Sequence, residues 1–252
     1  MNDNFDLRNY FDSRQVLDHG HVQFFDGMIQ DPKLKIVNAA RVSFHKEVDA
    51  LSQDDVKLIN YLLKHQHYST FRHSYFSFRV KAPLIVFRQW WKHQIGCDWL
   101  ESENVGTIEI PETNWNEMSG RYVEFEPEFY VPSEIRKQSK SNKQGSDGIL
   151  SDIFIDGLEP VEFFKQSCLN QYKNYKTLVD AGAAKEQVRG LLPQTIYSEC
   201  VWTCSLQCLI YFWEQRLMNS HAQQEIREYA KATFDLVSPV LRPLEIVEQH
   251  DK

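Results

Sequence analysis

The sequence predicts an α+β fold: a small antiparallel sheet flanked by long helices, carried by one domain over residues 1–252. Three observations lead there. Residues 71–81 alternate with period two, so Phe76, Phe78 and Val80 face one side and Tyr75, Ser77 and Arg79 the other. Apolar residues recur at helical spacing before this strand and again after Pro160. The 42% hydrophobic content suits a folded chain with a sizeable core, and no repeat or linker divides it.

The elements follow in order. Residues 1–12 are expected to be loosely held, and 21–25 to form a short strand. Asp31 before Pro32 reads as an N-cap with proline at the first helical position. The helix then carries Leu34, Ile36, Val37 and Ala40 and ends near residues 41–44. Ser52-x-x-Asp55 has the form of a capping box, ahead of Val56, Ile59, Leu62 and Leu63. That helix should stop at 65–67. Pro83 starts a short apolar helix reaching His93. Residues 97–115 lack periodicity and read as an exposed loop. Residues 122–125 are expected as a strand with Val123 and Phe125 inward, and the polar, cationic stretch 136–148 as a mobile loop, solvated or able to close over an anion. Phe164, Cys168, Tyr172, Tyr175 and Val179 form a helical stripe ended by Gly182. Further helices are expected over 184–192, over 198–217, and after a cap at Ser220-x-x-Gln223, with Ile226, Ala230, Phe234 and Val237 inward.

Composition excludes several classes. A net charge of −7 argues against broad binding to nucleic acid, so an anionic ligand needs a locally basic site. No apolar run reaches the roughly 20 residues of a membrane span. The polar, acidic start is unlike a secretory signal, so a cytoplasmic protein is expected. Five cysteines are an odd number, with the last three four apart, unlike a disulfide framework. Cys200, Cys204 and Cys208, four apart, read as small core thiols, since no Cys-x-x-Cys pair suggests zinc. His65, His67 and His73 span a helix end and a strand, a poor metal spacing, and no metal is expected.

The chemistry concentrates in residues 83–122. Arg88-Gln89-Trp90-Trp91-Lys92-His93-Gln94 opens it and Asn116-Glu117-Met118-Ser119-Gly120-Arg121-Tyr122 closes it. Aromatics, cations, amides, a carboxylate and a Ser-Gly turn together suit a planar, anionic ligand. Taken singly, an arginine is usually a surface charge, and Trp90 and Trp91 in an apolar helix are usually core.

In these two blocks the chain resembles the flavin-dependent thymidylate synthases (ThyX), whose signature is Arg-His-Arg-x-x-Ser-x-Asn-x-x-Ser-x-Arg. Further matches follow in order: Ala40-Arg41-Val42-Ser43-Phe44, Lys64-His65-Gln66-His67-Tyr68-Ser69-Thr70-Phe71, Val80-Lys81-Ala82-Pro83, Glu186-Gln187-Val188-Arg189-Gly190-Leu191-Leu192-Pro193, and Ser220-His221-Ala222-Gln223 with Glu225-Ile226. The signature departs from the pattern at Lys92-His93-Gln94 and through an apparent insertion at 95–115. Where the family has Asn, Arg and Asn toward the flavin, this chain has Ser205, Gln207 and Tyr211.

The resemblance implies methylene transfer from methylenetetrahydrofolate to C5 of dUMP, with reducing equivalents from FAD and NADPH as reductant of the flavin. It implies dUMP contacts from Gln89, Lys92, Glu117, Ser119, Gly120, Arg121, Arg189 and Arg216. Arginine forks suit the phosphate, and a fixed cation at Arg216 would favour charge developing on the pyrimidine, which makes it the catalytic candidate. FAD contacts are implied for Ser69, Lys92, His93, Gln94, Glu117, Ser205, Gln207 and Tyr211, with His67 near flavin and folate. A homotetramer with shared sites is implied as well. Two alternatives remain. The enzyme could modify C5 of another pyrimidine nucleotide, hydroxymethylation included. The chain could instead be a nucleotide-binding homologue that has lost catalysis.

Overall fold

The computed structural model describes residues 12–27, 31–93, 115–143, 145–151 and 153–248. Its centre is a five-stranded antiparallel sheet in the order β1-β2-β3-β7-β4. The strands are β1 (Ser13–Val16), β2 (Gly20–Gly27), β3 (Tyr75–Pro83), β4 (Trp115–Glu117) and β7 (Tyr197–Ser205). β3 and β7 pair along their whole length, from Tyr75 opposite Ser205 to Pro83 opposite Tyr197. This register puts Phe76, Phe78 and Val80 beside Cys204, Trp202 and Cys200, all buried on one face. The other face is polar: Ser77 meets Thr203 at 2.8 Å, and Arg79 pairs with Glu199 at 2.6 Å. One wet and one dry face is the usual pattern of an antiparallel sheet.

Helices α1 (Pro32–Arg41), α2 (Gln53–Lys64), α3 (Leu84–Trp90), α6 (Leu206–Trp213) and α7 (Gln224–Leu241) contribute to the apolar cluster on the dry face. α1 starts where expected: the Asp31 carboxylate accepts from the Lys33 amide at 2.9 Å, and Pro32 occupies the first turn. The capping box of α2 is complete, with Ser52 and Asp55 bonded in both directions. Asp55 also pairs with Arg41 on α1. Burial pushes this carboxyl up, but the Ser52 hydrogen bonds and the Arg41 guanidinium outweigh it and hold the pKa below the ordinary value.

Trp90 anchors the cluster. It stacks on Phe212 at 4.9 Å and meets Trp202 at 5.2 Å and Tyr229 at 5.7 Å. The tryptophans of the opening block are therefore packing residues first: Trp90 is fully buried, and Trp91 stacks on Phe87. A second, smaller cluster holds Phe125, Phe129, Cys168, Tyr175, Val188, Leu192 and Ile196. It joins α4 (Pro160–Asp180) to α5 (Lys185–Val188) and to the approach to β7.

Several expectations change. Residues 197–205 are strand, so the helix expected over 198–217 begins only at Leu206. Spacing of four puts Cys200 and Cys204 on one face of a strand as readily as of a helix, and Cys208 follows on α6. The inward residues of this run are Cys200, Trp202 and Cys204. The strand expected from Phe71 starts at Tyr75, after a tight turn over Tyr68–His73. Residues 122–125 are not strand: Tyr122 is 77% and Val123 53% exposed, and only Phe125 turns inward. The cationic stretch forms a hairpin of β5 (Arg136–Gln138) and β6 (Ser146–Ile149). Arg136 is neutralised by Glu225 at 2.6 Å and bonds Gln224. α7 is capped at Gln223 without a side-chain bond, so Ser220 is not its cap. Ile226, Ala230, Phe234 and Val237 are inward as expected. Residues 1–11 and nearly all of 95–115 lie outside the described residues. A final short helix, α8 (Glu245–Glu248), follows α7. Among the described residues no helix is long and apolar enough to cross a membrane.

Candidate functional site

The expected site residues fall into three groups. The first lies beside the start of β7. Edge strand β4 pairs Glu117 with Cys200, and the Met118 amide donates to the Glu199 carbonyl at 2.8 Å. The chain then turns: the Ser119 carbonyl accepts from the amides of Tyr122 (3.0 Å) and Val123 (3.1 Å), and the Ser119 hydroxyl accepts from the Arg121 amide at 3.3 Å. Gly120 is required at this point, because a Cβ there would lie 2.5 Å from the Phe125 ring. Glu117 accepts from the Ser198 hydroxyl at 2.8 Å. Partial burial raises its pKa, against the lowering effects of that bond and of Arg189. Arg121 lies 3.8 Å from Glu186, a loose pair with both side chains more than half exposed. Arg189, in the turn after α5, is exposed as well. Two arginines, a hydroxyl and a carboxyl thus converge on one open, solvent-facing patch. Exposed guanidinium forks of this kind are suited to a phosphate.

The second group follows α6. Arg216 lies in a π-helical turn, Glu214–Met218, an opened turn of a kind often found at functional sites. Its Nε donates to His93 Nε2 at 3.2 Å. Nε2 must therefore be the acceptor, which leaves the imidazole proton on Nδ1. His93 is 3% exposed and packs edge-on to Phe212, with Tyr211 at 5.6 Å. Burial, and then the Arg216 charge, lower its pKa to about 4. The ring is a neutral strut that fixes a guanidinium. Nδ1 is buried with no partner among the described residues, a donor suited to an acceptor atom on a bound group. Lys92 beside it is exposed, and Gln94 lies outside the described residues.

The third group lies where β7 ends. A recess of about 490 Å³ is lined in part by His67, Ser69 and Gln207, three residues expected toward the flavin. Sequence reasoning missed a fourth, Arg72, whose Nε donates to Gln207 Oε1 at 2.6 Å. It lies two residues beyond Thr70, but no local spacing pointed to Gln207, 135 positions on. Ser205 is fully buried, and its hydroxyl accepts from the Cys208 amide as the cap of α6. Gln89 bonds Gln223 at the start of α7.

The first and third groups sit at opposite ends of the same strand. From Ser198 to Ser205 the chain runs roughly 20 Å at strand rise. Cys168, Cys200, Cys204 and Cys208 are buried thiols outside these groups, and burial, with Glu117 and Glu199, pushes Cys200 well up. Cys97 is outside the described residues. No trio of metal-ligating side chains occurs among the described residues.

The fold resembles that of a solved pyrimidine-nucleotide methylase. It matches the crystal structure of the UMP/dUMP methylase PolB from Streptomyces cacaoi bound with 5-Br dUMP, with a TM-score of 0.70 and 25% identity, over 94% of this chain and 96% of that one. The same enzyme bound with 5-Br UMP gives 0.70 and 24%, over 93% and 94%. The family can be stated more closely. The profile described as "Thymidylate synthase complementing protein" matches residues 25–241. The flavin-dependent thymidylate synthase of Thermus thermophilus is 38% identical over 88% of this chain and 73% of its own length. That of Kosmotoga olearia is 35% identical over 86% and 85%, and that of Dictyostelium discoideum 36% over 90% and 70%. The chain belongs to the flavin-dependent thymidylate synthase family, and it is an enzyme.

Proposed function

We propose that this enzyme converts dUMP to dTMP, with methylenetetrahydrofolate as carbon donor, FAD as cofactor and NADPH as its reductant. The observation that carries the reading is the Arg216–His93 pair. A guanidinium held by a buried, neutral imidazole is a preorganised cation, and such groups act most strongly where charge develops on a substrate. Placed beside the uracil ring, Arg216 stabilises negative charge at N3 and O4. Arg121 and Arg189 grip the phosphate, with short bonds from the Ser119 hydroxyl and the Gly120 amide. Gln89 and Lys92 add polar contacts to the nucleotide. Glu117, whose pKa is raised, holds a proton more readily than a free carboxylate and stands between nucleotide and flavin. The residues present fit a flavin: the unpartnered His93 Nδ1 and the polar recess of Ser69, His67 and Gln207 offer donors. Lys92, Gln94, Glu117 and Tyr211 complete the FAD set in this reading, while Ser205, fully buried and capping α6, serves the fold instead. Bound FAD supplies the reducing equivalents; every other role belongs to the side chains named.

The chain acts as one catalytic domain, in a homotetramer whose sites combine residues of different copies. The separation of the phosphate-gripping patch from the recess along β7 supports this. So do Val42 and Phe44, two apart in a matched block and 69% and 73% exposed. Sedimentation at a single mass of four chains is the expected result.

The decisive experiment is tritium release from 5-³H-dUMP by the yellow, purified protein with methylenetetrahydrofolate and NADPH. A colourless protein that stays inactive with added FAD would sink the reading. A second reading has one observation in its favour: a structure of matching fold is that of a UMP/dUMP methylase. The enzyme would then methylate UMP also. Mass spectrometry of product from an equimolar UMP/dUMP mixture separates the two.

A further inference from the structure

We propose that Arg72, held in place by Gln207, is the cation of an anion-binding recess that takes the diphosphate of the flavin dinucleotide. The proposal rests on the flavin reading above and deepens it.

The recess lies between α1 and the turn Tyr68–His73. Its walls carry the Ser43, Ser69 and Thr70 hydroxyls, His67, and the amides of Gln66 and Gln207, and no carboxylate. Arg72 is its one permanent cation, and among the described residues no acid pairs with it. Among the described residues only Nε is engaged, by Gln207, which leaves the two terminal nitrogens able to form a fork. Gln207 is itself nearly buried, which fixes the direction of the guanidinium. A single oriented arginine ringed by hydroxyls is the donor set a phosphate or diphosphate requires. Position supports the assignment. Gln207 stands where the family resemblance sets an arginine toward the flavin. Here an arginine from the turn before β3 bonds that glutamine and so brings a positive charge beside it.

The carboxylates of a folate tail share this anionic chemistry, and the test separates them. Calorimetry is run with FAD, riboflavin, inorganic pyrophosphate, methylenetetrahydrofolate and dUMP on the wild type, on Arg72→Gln, and on the double variant Arg72→Gln/Gln207→Arg. Glutamine can still donate to Gln207, so folding is preserved, and an unchanged Tm checks it. Loss of a charge-assisted bond predicts an FAD Kd raised tenfold or more in Arg72→Gln. Pyrophosphate should weaken in parallel, while riboflavin and dUMP are unchanged. The double variant should recover most of the FAD affinity. Unchanged FAD binding by Arg72→Gln overturns the proposal. So does an equal loss for riboflavin, which would mean Arg72 only shapes the pocket. A loss confined to the folate overturns it in favour of the carboxylate source. Wild-type binding of pyrophosphate that depends on Arg72, without any FAD binding, would sink the flavin reading but keep the anion site.

Discussion

The two ends of β7 handle charge in opposite ways. Beside Ser198, Arg121 and Arg189 stand in solvent, with one loose partner at 3.8 Å. Near Ser205, Arg72 is tied at 2.6 Å to a nearly buried glutamine, and beyond α6 Arg216 is tied to a buried histidine. Exposed arginines adapt to a mobile anion and contribute little to folding. Arginines held by uncharged acceptors keep full charge and a fixed direction. The first arrangement suits capture of a substrate that must leave each turnover. The second suits groups that must be aimed.

The widest test of this contrast is Arg216→Gln. Removal of one aimed donor should lower kcat by about 10²- to 10³-fold, with dUMP affinity and flavin content little changed. An equal loss in dUMP affinity would show that Arg216 captures rather than aims. Next come Arg121→Ala and Arg189→Ala. Each should raise the dUMP Kd by about 10- to 100-fold, the value of a charge-assisted bond, yet leave Tm unmoved because the site is exposed. A drop of several degrees would place them with the aimed arginines.

His93 sharpens the comparison through pH. It is neutral in the folded protein down to about pH 4, whereas in the unfolded chain it takes up a proton below about 6.5. Stability should therefore fall as pH drops between those values, by an amount on the order of 2 kcal/mol, and level off below. His93→Gln cannot titrate and should lose that part of the slope, as urea unfolding at pH 7.5, 5.5 and 4.5 would reveal. The smallest effect is expected at Ser205→Ala. Loss of the α6 cap should cost about 1 kcal/mol of stability, read as Tm. Unchanged FAD affinity in that variant would assign Ser205 to the fold alone.

Local chemistry was the part of the fold legible in the sequence. Asp31-Pro32 and Ser52/Asp55 state their own hydrogen bonds, and the alternation of Phe76, Phe78 and Val80 states its face. Residues 198–205 were misread because a spacing of four satisfies strand and helix alike; the alternation Cys200, Trp202, Cys204 was the discriminating sign. Val123 was misread because a short apolar run does not say which tertiary surface receives it. At the candidate site, one matched block holds His67 and Ser69, which line one recess together with Gln207, a position that departs from the family pattern, and two others hold Glu117, Arg121 and Arg189 of one patch. Arg72 could not be read from spacing. Its partner is 135 positions away, and only the pairing of β3 with β7 brings the two together.

The opened turn at Glu214–Met218 carries a lesson about how this enzyme can and cannot vary. A turn of this kind holds one residue more than regular helix would. Deleting that residue would restore regular helix and shift the residues of the turn, Arg216 among them, by one position relative to the flanking helix. Arg216 would leave His93 without any change to either residue. Chain length between Trp213 and Asn219 is thus as much a determinant of the site as residue identity. Substitutions there are open to gradual adjustment, but a single-codon deletion is a break that no later substitution of Arg216 repairs.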